Sequence, residues 1–512
     1  MRQIKSTQSI CPECLKVIPA TILEDNGRVL MVKNCDEHGE YTDTYWSSHE
    51  QYLKADSYAR PGIEPSIHHQ KEEKGCPYDC GLCPKHKNST ILAVIDITNR
   101  CNARCPTCFA SADRKKEYIY EPTMEQIDFM LDSIAGDVKA LQFTGGEPTL
   151  RPDLQTIILH AKERGINHIE LNTNGIVLAS SHGAEYVKSL ESMFGDESKN
   201  KGLSTVYLKF NGFSRSTWEA TTGDPNWGSI PLKAFENVKK AYNDMRRSPG
   251  VMLVPTIIKG VNDHEVGDII EYAKKNSYVC RGVNFQPVSF AGSMSAEQRE
   301  KNRYTLPDLL RDIEEQTHGE IKASDFFPVS IVSPFAETIW HWKKKGLPGF
   351  VCHQHCGFMT GLLIEDDYAI PITRYINVNK FFDSLTKSAF YFKNGKMTRG
   401  KLYALKALAT SIKPRKAGRL IPLIRDVAEG DWKALGQFLL NMVFIGAMHF
   451  MDVYNFDLER VQMCCIHQVL PDGTRVPFCT YQTIHRPVME RKFSISINEW
   501  KNSQQLEATI DL

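Results

Sequence analysis

The feature that most constrains this chain is the way its cysteines are grouped along the sequence. Fifteen cysteines occur in 512 residues. Disulfide frameworks belong mainly to small secreted domains, whereas closely spaced cysteines in a long chain indicate metal ligands in a reducing compartment. The sequence therefore predicts an intracellular protein with several metal centres. The groups are Cys11/Cys14, Cys76/Cys80/Cys83, Cys101/Cys105/Cys108, Cys352/Cys356 and Cys464/Cys465.

Composition excludes some classes of protein. Apolar residues make up 42% and charged residues 24%, and the net charge is +1, so the whole chain has no bias toward polyanions. The first residues, MRQIKSTQSICPEC, lack the apolar core of a signal peptide. The longest apolar candidate, FLLNMVFIGAMHF, is too short to span a membrane. We expect a cytoplasmic protein with at most a peripheral membrane contact.

The pattern along the chain predicts four regions. Residues 1–55 are expected to form a metal-binding ribbon, because CPEC precedes two short β-like runs around a DNG turn. Residues 56–90 carry the next cysteine group. Residues 91–330 alternate apolar strands with amphipathic helices, and residues 331–512 form a mixed α+β region with the last cysteines.

The alternating region determines the predicted fold class. Strands that alternate with helices form parallel βαβ units, and about six units suit an α/β fold, a partial (β/α)6 TIM-like barrel. Functional loops of such barrels lie at the carboxyl ends of the strands. The predicted strands are ILAVIDIT, ALQFTGG, HIELNTNG, TVYLKFNG, GVMLVPTII and GVNFQPV, and the clearest helices are TMEQIDFMLDSIAG, PDLQTIILHAKERG and PLKAFENVKKAYNDM.

Three cysteines directly follow the first of these strands. Cys101, Cys105 and Cys108 have C-x3-C-x2-C spacing in DITNRCNARCPTCFASA. Three thiolates can hold three irons of a [4Fe–4S] cluster and leave the fourth iron open to a ligand. The alternative is a structural zinc site that takes its fourth ligand from a distant part of the chain.

Together with GGEP (residues 145–148) after the next strand, this loop resembles the radical S-adenosylmethionine (SAM) superfamily. The resemblance implies that SAM chelates the open iron and is cleaved to a 5′-deoxyadenosyl radical. It also implies that GGEP holds the SAM amino group, with Glu147 as an acceptor. The SAM-binding residues implied by position are Phe109, Gly145, Gly146, Glu147, Pro148, Asn172, Asn174, Lys209, Asn211, Thr256 and Gln286.

Two further cysteine sets are predicted to hold clusters. Cys76, Cys80 and Cys83 repeat the C-x3-C-x2-C spacing, and a structural zinc loop is the alternative. Ile91 stands where similar proteins often have a cysteine, so the fourth ligand is either a distant residue such as Cys280 or an exogenous group. A closed cluster is predicted from Cys352, Cys356, Cys464 and Cys479, with Cys465 left as a small packed hydrophobe.

The N-terminal group predicts a mononuclear metal. Cys11, Cys14, Cys35 and His38 have the spacing of a tetrahedral zinc site or a rubredoxin-like iron site, with a structural role. Taken together, the cysteine groups predict three [4Fe–4S] clusters and one mononuclear iron or zinc, and the radical SAM resemblance implies SAM.

A basic segment lies near the end of the chain. Between Lys393 and Arg425 there are ten Lys or Arg and no Asp or Glu, interleaved with apolar residues. This pattern favours amphipathic helices beside anionic lipid headgroups, with Lys413, Arg415, Lys416 and Arg419 as contacts. The alternatives are a solvated basic face or a nucleic-acid contact, although no RNA-binding module surrounds it.

A narrower resemblance, to the archaeal tetraether lipid synthases, extends over nearly the whole chain. It rests on CPYDCGLCP, TNRCNARCPTCFA, GGEP, GVNFQPVSFAG, HFMDVYNFDLERV and PDGTRVPFCTY in this order. The resemblance implies coupling of the terminal carbons of two phytanyl chains of an archaeal ether lipid, with two SAM per bond. It also implies a monomer, a lipid substrate, an electron donor such as ferredoxin and no nucleic acid. The alternatives are methylation of a pterin precursor, as in a related group of radical SAM enzymes, and a zinc-rich binding protein without enzyme activity.

Overall fold

The computed structural model describes residues 1–502 with internal gaps. The gaps are residues 66–67, 69, 112–116, 192–201, 246–248, 293, 295, 344–349, 366–367 and 414–441. Within the described residues, the strands form an N-terminal sheet, a large central sheet and one small two-stranded pair.

The N-terminal ribbon is a four-stranded antiparallel sheet of consecutive strands. Asn26 and Gly27 both have positive φ, +49° and +79°, which is the backbone of a tight hairpin turn and confirms the turn predicted at DNG. Alternate side chains of the two middle strands are buried, as expected where one face packs on a core. The strands are β1 (Arg2–Ile10), β2 (Val17–Asp25), β3 (Arg28–Cys35) and β4 (Gly39–Trp46), and helix α1 (His49–Asp56) follows.

The alternating region forms the predicted partial barrel. Six parallel strands lie side by side in the order β5, β7, β8, β9, β10 and β12. Strand β5 is buried along almost its whole length, as parallel strands covered on both faces usually are. The elements are β5 (Leu92–Thr98), β6 (Tyr118–Ile119), α2 (Met124–Ile134), β7 (Ala140–Gly145), α3 (Leu154–Glu163), β8 (His168–Thr173), α4 (Gly183–Glu191), β9 (Thr205–Lys209), α5 (Arg215–Thr222), α6 (Ser229–Asp244), β10 (Gly250–Val254), β11 (Thr256–Ile257), α7 (Val266–Lys275) and β12 (Cys280–Pro287).

The C-terminal segments add strands to both edges of this barrel sheet. Strand β16 pairs in parallel with β12, and β17 pairs in parallel with β5. The α+β region predicted at 331–512 is therefore continuous with the barrel sheet, because β5 and β12 would otherwise expose unpaired backbone groups. Its elements, with the helices that precede it, are α8 (Ala296–Asn302), α9 (Leu306–Gln316), β13 (Phe327–Pro328), α10 (Ser333–Lys343), β14 (Gly357–Glu365), β15 (Tyr368–Pro371), α11 (Val378–Lys393), α12 (Met397–Ser411), β16 (Met442–Met448), α13 (Leu458–Gln462), β17 (Ile466–Val469), β18 (Arg475–Pro477), α14 (Phe478–Thr480), α15 (Arg486–Lys492) and β19 (Ile495–Ser496).

Buried polar contacts join the ribbon to the C-terminal part. Arg303 donates to Asp452 at 2.6 Å and also contacts Asp43 of β4. Asp457 accepts hydrogen bonds from Tyr45 and Thr7, both at 2.9 Å. These contacts tie the ribbon to the segment that immediately precedes Cys464 and Cys465.

None of the helices in the described part of the chain combines the length and the apolar composition that crossing a bilayer requires.

Candidate active site

The cysteine loop after β5 is fixed by the glycines that end β7. Gly146 N donates to Thr98 O, and Glu147 N donates to Arg100 O, both at 2.8 Å. Gly145 has φ +136°, and a Cβ added there would overlap the carbonyl oxygen of Thr98. Only glycine permits this close approach of two backbones, so the two glycines serve to hold the cysteine loop against β7.

Glu147 does not face the site that the sequence predicts for it. Its side chain is fully buried, and its carboxylate accepts from Thr149 Oγ1 at 2.6 Å, Thr173 Oγ1 at 2.7 Å and Asn174 N at 2.7 Å. Burial raises the pKa of this carboxyl, while these hydrogen bonds oppose the shift. That Glu147 accepts from the SAM amino group stays a prediction. Its side chain organises the loops after β7 and β8.

A cavity of about 470 Å³ opens at the carboxyl ends of the barrel strands, where barrel enzymes carry their sites. All three thiols of the cysteine loop line it. Pro148 and Asn211 do not line it, since Pro148 is buried beside Glu147 and Asn211 Oδ1 accepts from Thr256 N at 3.0 Å. The predicted SAM-site residues that do line it are Phe109, Gly145, Gly146, Asn172, Asn174, Lys209, Thr256 and Gln286.

Two polar side chains contact the cysteine thiols directly. Lys209 Nζ lies 3.0 Å from Cys105 Sγ, which places an ammonium group beside a prospective thiolate ligand. Asn174 Nδ2 lies 3.8 Å from Cys101 Sγ and donates to Asn102 Oδ1 at 2.8 Å. Burial raises the pKa of the Cys101 thiol to about 12. Without a metal this thiol stays protonated, so the donor set suits a bound cation that stabilises thiolates.

A second layer of polar side chains lies deeper in the same cavity, and sequence reasoning missed it. Gln142 donates to Glu170 at 2.9 Å, and Asn284 donates to the hydroxyl of Tyr207. Each of these four residues stands two positions before a polar residue nearer the mouth of the barrel. Because side chains alternate along a strand, this period of two was the signal that could have revealed them. Glu170 is the one carboxylate among the described residues that line the cavity.

The cavity wall opposite the barrel is aromatic and comes largely from the C-terminal segments. The ring of Phe478 contacts two other rings, with centroids 6.1 Å from that of Phe109 and 5.0 Å from that of Phe450. Phe350 and Phe444 also line it. The cavity thus combines polar side chains of the barrel strands with an aromatic cluster from the C-terminal segments.

The second cysteine triplet lies in a separate small pocket. Cys76, Cys80 and Cys83 line this pocket together with His86 and Pro477. Cys280 is absent from its lining and is fully buried in the barrel core, where its thiol hydrogen-bonds to Gly282 O at 3.4 Å. The suggestion that Cys280 completes this site is therefore wrong, because its position on β12 directs the thiol into the packed core.

The third cysteine group has five members. The thiol of Cys465 hydrogen-bonds to that of Cys352, and both residues line the main cavity. Burial, together with the neighbouring Cys352 and Cys479, raises the pKa of Cys356, and burial with Cys479 and Cys356 nearby raises the pKa of Cys464. The interpretation of Cys465 as a hydrophobic packing residue is therefore corrected, since its thiol contacts that of Cys352 and both line the cavity.

The N-terminal group forms a compact donor set. Ligand atoms of Cys11, Cys14, Cys35 and His38 all lie within 4.8 Å of one another. His38 Nδ1 is 3.6 Å from Cys11 Sγ and 3.5 Å from Cys35 Sγ. The hydrogen bond from His38 lowers the pKa of Cys35, which favours the thiolate that a metal requires. Three thiols and an imidazole suit tetrahedral zinc.

The predicted headgroup contacts lie mostly outside the described residues. Arg415, Lys416 and Arg419 fall in the gap at 414–441. Lys413 is exposed, and its Nζ donates to Thr373 O at 2.9 Å. Lys413, the member of this set that the structure describes, does not line the main cavity.

Comparison with known proteins shows which family the chain belongs to. Residues 95–273 match the family described as "Radical SAM superfamily", and residues 3–47 match "HMPTM N-terminal zinc ribbon domain". The chain is 43% identical over 514 aligned residues, covering 98% of both chains, to "7,8-dihydro-6-hydroxymethylpterin dimethyltransferase" of Methanocaldococcus jannaschii. This chain belongs to the radical SAM superfamily.

More distant similarities cover parts of this radical SAM protein. The chain is 26% identical over 286 residues to "GTP 3',8-cyclase" of Clostridium botulinum, covering 55% of this chain and 79% of the relative. A crystal structure of Streptococcus suis SuiB bound to S-adenosylmethionine superposes with a TM-score of 0.34 and 17% identity, covering 45% of this chain and 47% of SuiB.

The family match establishes which cofactor chemistry this radical SAM protein uses, and the full-length relative corrects the reaction predicted from the sequence. A radical SAM domain implies SAM and a [4Fe–4S] cluster, and the ribbon match together with its donor set indicates zinc. The expectation of phytanyl-chain coupling is wrong. A relative aligned over 98% of both chains is a pterin dimethyltransferase, which favours the alternative of pterin methylation.

Proposed function

We propose that this chain is a radical SAM methyltransferase that acts on a pterin. The observation that carries the proposal is the 43% identity, aligned over 98% of both chains, to the dimethyltransferase of M. jannaschii. The alignment includes the ribbon and the C-terminal segments as well as the barrel. A match confined to the barrel would support only the general radical chemistry.

The cavity supports a flat heterocyclic substrate. A pterin has two apolar ring faces and one edge with amino, imide and carbonyl groups. The aromatic wall formed by Phe450 and Phe478 suits the faces, and the polar layer with Gln142, Glu170 and Asn284 suits the edge. We propose that the carboxylate of Glu170 accepts from the amino and imide N–H groups of that edge.

The upper part of the cavity is proposed as the SAM site. The thiols of Cys101, Cys105 and Cys108 would hold the [4Fe–4S] cluster, and the exposed backbone at Gly145 and Gly146 would contact SAM. When bound, the reduced cluster and SAM supply a 5′-deoxyadenosyl radical that takes hydrogen from a carbon atom. The other residues proposed to position SAM are Phe109, Asn172, Asn174, Lys209, Thr256 and Gln286.

The remaining metal sites are part of the same proposal. We assign an auxiliary [4Fe–4S] cluster to Cys76, Cys80 and Cys83 and another to Cys352, Cys356, Cys464 and Cys479, with Cys465 beside them. A low-potential donor such as ferredoxin would reduce the SAM cluster. The regions at 1–55, 56–90, 91–330 and 331–512 would then serve as zinc ribbon, auxiliary segment, radical SAM barrel and C-terminal cluster region.

A direct assay tests the proposed substrate. Anaerobically reconstituted protein is incubated with 7,8-dihydro-6-hydroxymethylpterin, SAM and dithionite, and the pterin is analysed by mass spectrometry. We expect a gain of one or two methyl groups, and SAM with a deuterated methyl group reports whether SAM is the methyl donor. Formation of 5′-deoxyadenosine with an unchanged pterin would reject the pterin while leaving the radical chemistry intact.

A further inference from the structure

The last described segment of the chain, residues 486–502, runs back to the cysteine loop of the barrel. Arg486 of α15 pairs with Asp96 of β5 at 2.8 Å, and both side chains are buried. Strand β19 then pairs antiparallel with β6, which follows the cysteine loop in sequence. The segment therefore contacts both the strand that leads into this loop and the chain that comes after it.

A capped helical turn at the end of this segment carries Trp500. Residues 497–502 are helical, and Ser496 and Glu499 exchange the two hydrogen bonds of a capping box, at 2.8 and 3.2 Å. From this turn, Trp500 Nε1 donates to Glu121 Oε1 at 3.2 Å. The guanidinium carbon of Arg100 lies over the Trp500 ring, 4.8 Å from its centre.

Arg100, Glu121 and Trp500 thus form a closed triad in which each side chain contacts the other two. Arg100 Nε donates to Glu121 Oε2 at 2.8 Å, while Trp500 donates to the other oxygen of the same carboxylate. An ion pair that is open to water contributes little, because water competes for both charges. An indole ring over the guanidinium excludes water and adds a cation–π contact, so Trp500 stabilises this ion pair.

Arg100 is also the residue immediately before Cys101. Its N–H donates to Thr98 Oγ1 at 3.1 Å, and its carbonyl accepts from Glu147 N at 2.8 Å. Its Nη2 donates to Leu150 O at 3.2 Å. The barrel therefore holds the backbone of Arg100, while its side chain is held by the triad and by the turn after β7. The position of the Cys101 thiol depends on both sets of contacts.

We infer that Trp500 is a positioning residue for the SAM site, because it acts through Glu121 and Arg100 to hold Cys101 where the three thiols can bind one cluster. The inference rests on the proposed assignment of the SAM cluster to this loop but not on the pterin substrate. Removing a group that orients a metal ligand without touching the metal typically costs roughly 10- to 100-fold in metal affinity or activity. The last described turn of the chain therefore belongs to the SAM site, although it stands at the opposite end of the sequence.

SAM binding and electron paramagnetic resonance test the inference. Equilibrium dialysis of the anaerobically reconstituted protein measures the affinity for SAM, and the spectrum reports the reduced cluster whose signal disappears in Cys105→Ala. We expect Trp500→Ala to weaken SAM binding about tenfold and to lose part of this signal, because Arg100 no longer holds Cys101 in place. Trp500→Phe keeps a ring over the guanidinium without the N–H donor, so we expect a smaller loss.

The matched control is Trp342→Ala. Trp342 is also partly exposed, but it stacks on Phe392 of α11, with ring centroids 5.6 Å apart. Its SAM affinity and cluster signal should equal those of the wild type. Wild-type affinity and signal in Trp500→Ala would overturn the inference. An equal loss in Trp342→Ala would also overturn it, because the effect would then be general destabilisation.

Glu121→Gln keeps the inference testable if Trp500→Ala does not fold. This variant keeps the shape of the side chain and removes the charge that binds Arg100, so unchanged SAM affinity rejects the inference. Full iron content and an unchanged spectrum in Cys105→Ala would overturn the cluster assignment, and the inference with it. All these measurements are made without pterin, so they decide the inference whether or not the proposed substrate is correct.

Discussion

Glu170 gives the proposed substrate its most specific test at the level of a single residue. We expect Glu170→Gln to weaken pterin binding by about 2 kcal/mol, roughly 30-fold in Kd, because a neutral amide replaces a charged acceptor. Titration with the pterin, followed by ligand fluorescence, measures this. Glu163→Gln, at the exposed end of α3, is the matched control and should leave the affinity unchanged. Equal affinities in both variants would exclude Glu170 from substrate recognition.

Cys105 tests the cleavage of SAM independently of the substrate. Cys105→Ala should abolish formation of 5′-deoxyadenosine, measured by liquid chromatography, since a ligand of the proposed SAM cluster is lost. Cys280→Ala is a suitable comparison, because Cys280 is equally buried but packs in the core away from the cavity. It should cost about 1 kcal/mol of stability and keep the activity. Substantial deoxyadenosine from the Cys105 variant would contradict the assigned cluster.

The cavity residues at the strand ends could be predicted from sequence, whereas the polar residues two positions earlier could not. Asn172 and Lys209 stand beside strand ends and follow from the position of loops in a barrel. Glu170 and Tyr207 lie two residues earlier, inside the strands. Their pairing emerges only when neighbouring strands bring Gln142 and Asn284 alongside.

The end of β7 is the element whose backbone geometry most directly limits the site. Gly145→Ala should destabilise the cysteine loop by several kcal/mol, because the new Cβ meets Thr98 O on a backbone with positive φ. We expect loss of SAM binding, measured by equilibrium dialysis, and a lower midpoint of thermal unfolding.

Gly165 provides the control for this change. It also has positive φ, +77°, but a Cβ there meets nothing within 4 Å. Gly165→Ala should cost about 1 kcal/mol through backbone strain alone and should leave SAM affinity unchanged. Equal losses of SAM affinity in both variants would show that strain, rather than crowding at the cysteine loop, limits the site.

Elements within the barrel were predictable because each strand and helix has a strong local pattern. The predicted ILAVIDIT corresponds to β5, and PLKAFENVKKAYNDM falls almost wholly within α6. The pairing of β16 with β12 and of β17 with β5 was not predictable. Those contacts join segments more than a hundred residues apart, and short apolar runs carry no information about their partner.

At the scale of the whole molecule, the N-terminal ribbon packs against the C-terminal segments through buried polar contacts. Cys35→Ser should release the zinc and lower the unfolding temperature by a few degrees, because the hairpins lose their metal and the contacts of Asp43 and Tyr45 weaken. Calorimetry and zinc analysis measure both effects. Asp36→Ser changes an exposed residue of the same turn and should change neither. An unchanged unfolding temperature after complete zinc loss would mean that the ribbon contributes little to overall stability.

The order in which the polypeptide is made gives the edge pairing a further consequence. Strands β16 and β17 come from the last fifth of the sequence, so the ribosome synthesises the whole barrel before either flank can be covered. The nascent chain therefore presents two unpaired sheet edges until β16 and β17 have been synthesised. The third cysteine group is also completed only after the barrel, since Cys352 and Cys356 emerge long before Cys464, Cys465 and Cys479. On the proposed assignment, a cluster enters this group only after all the barrel strands have been made.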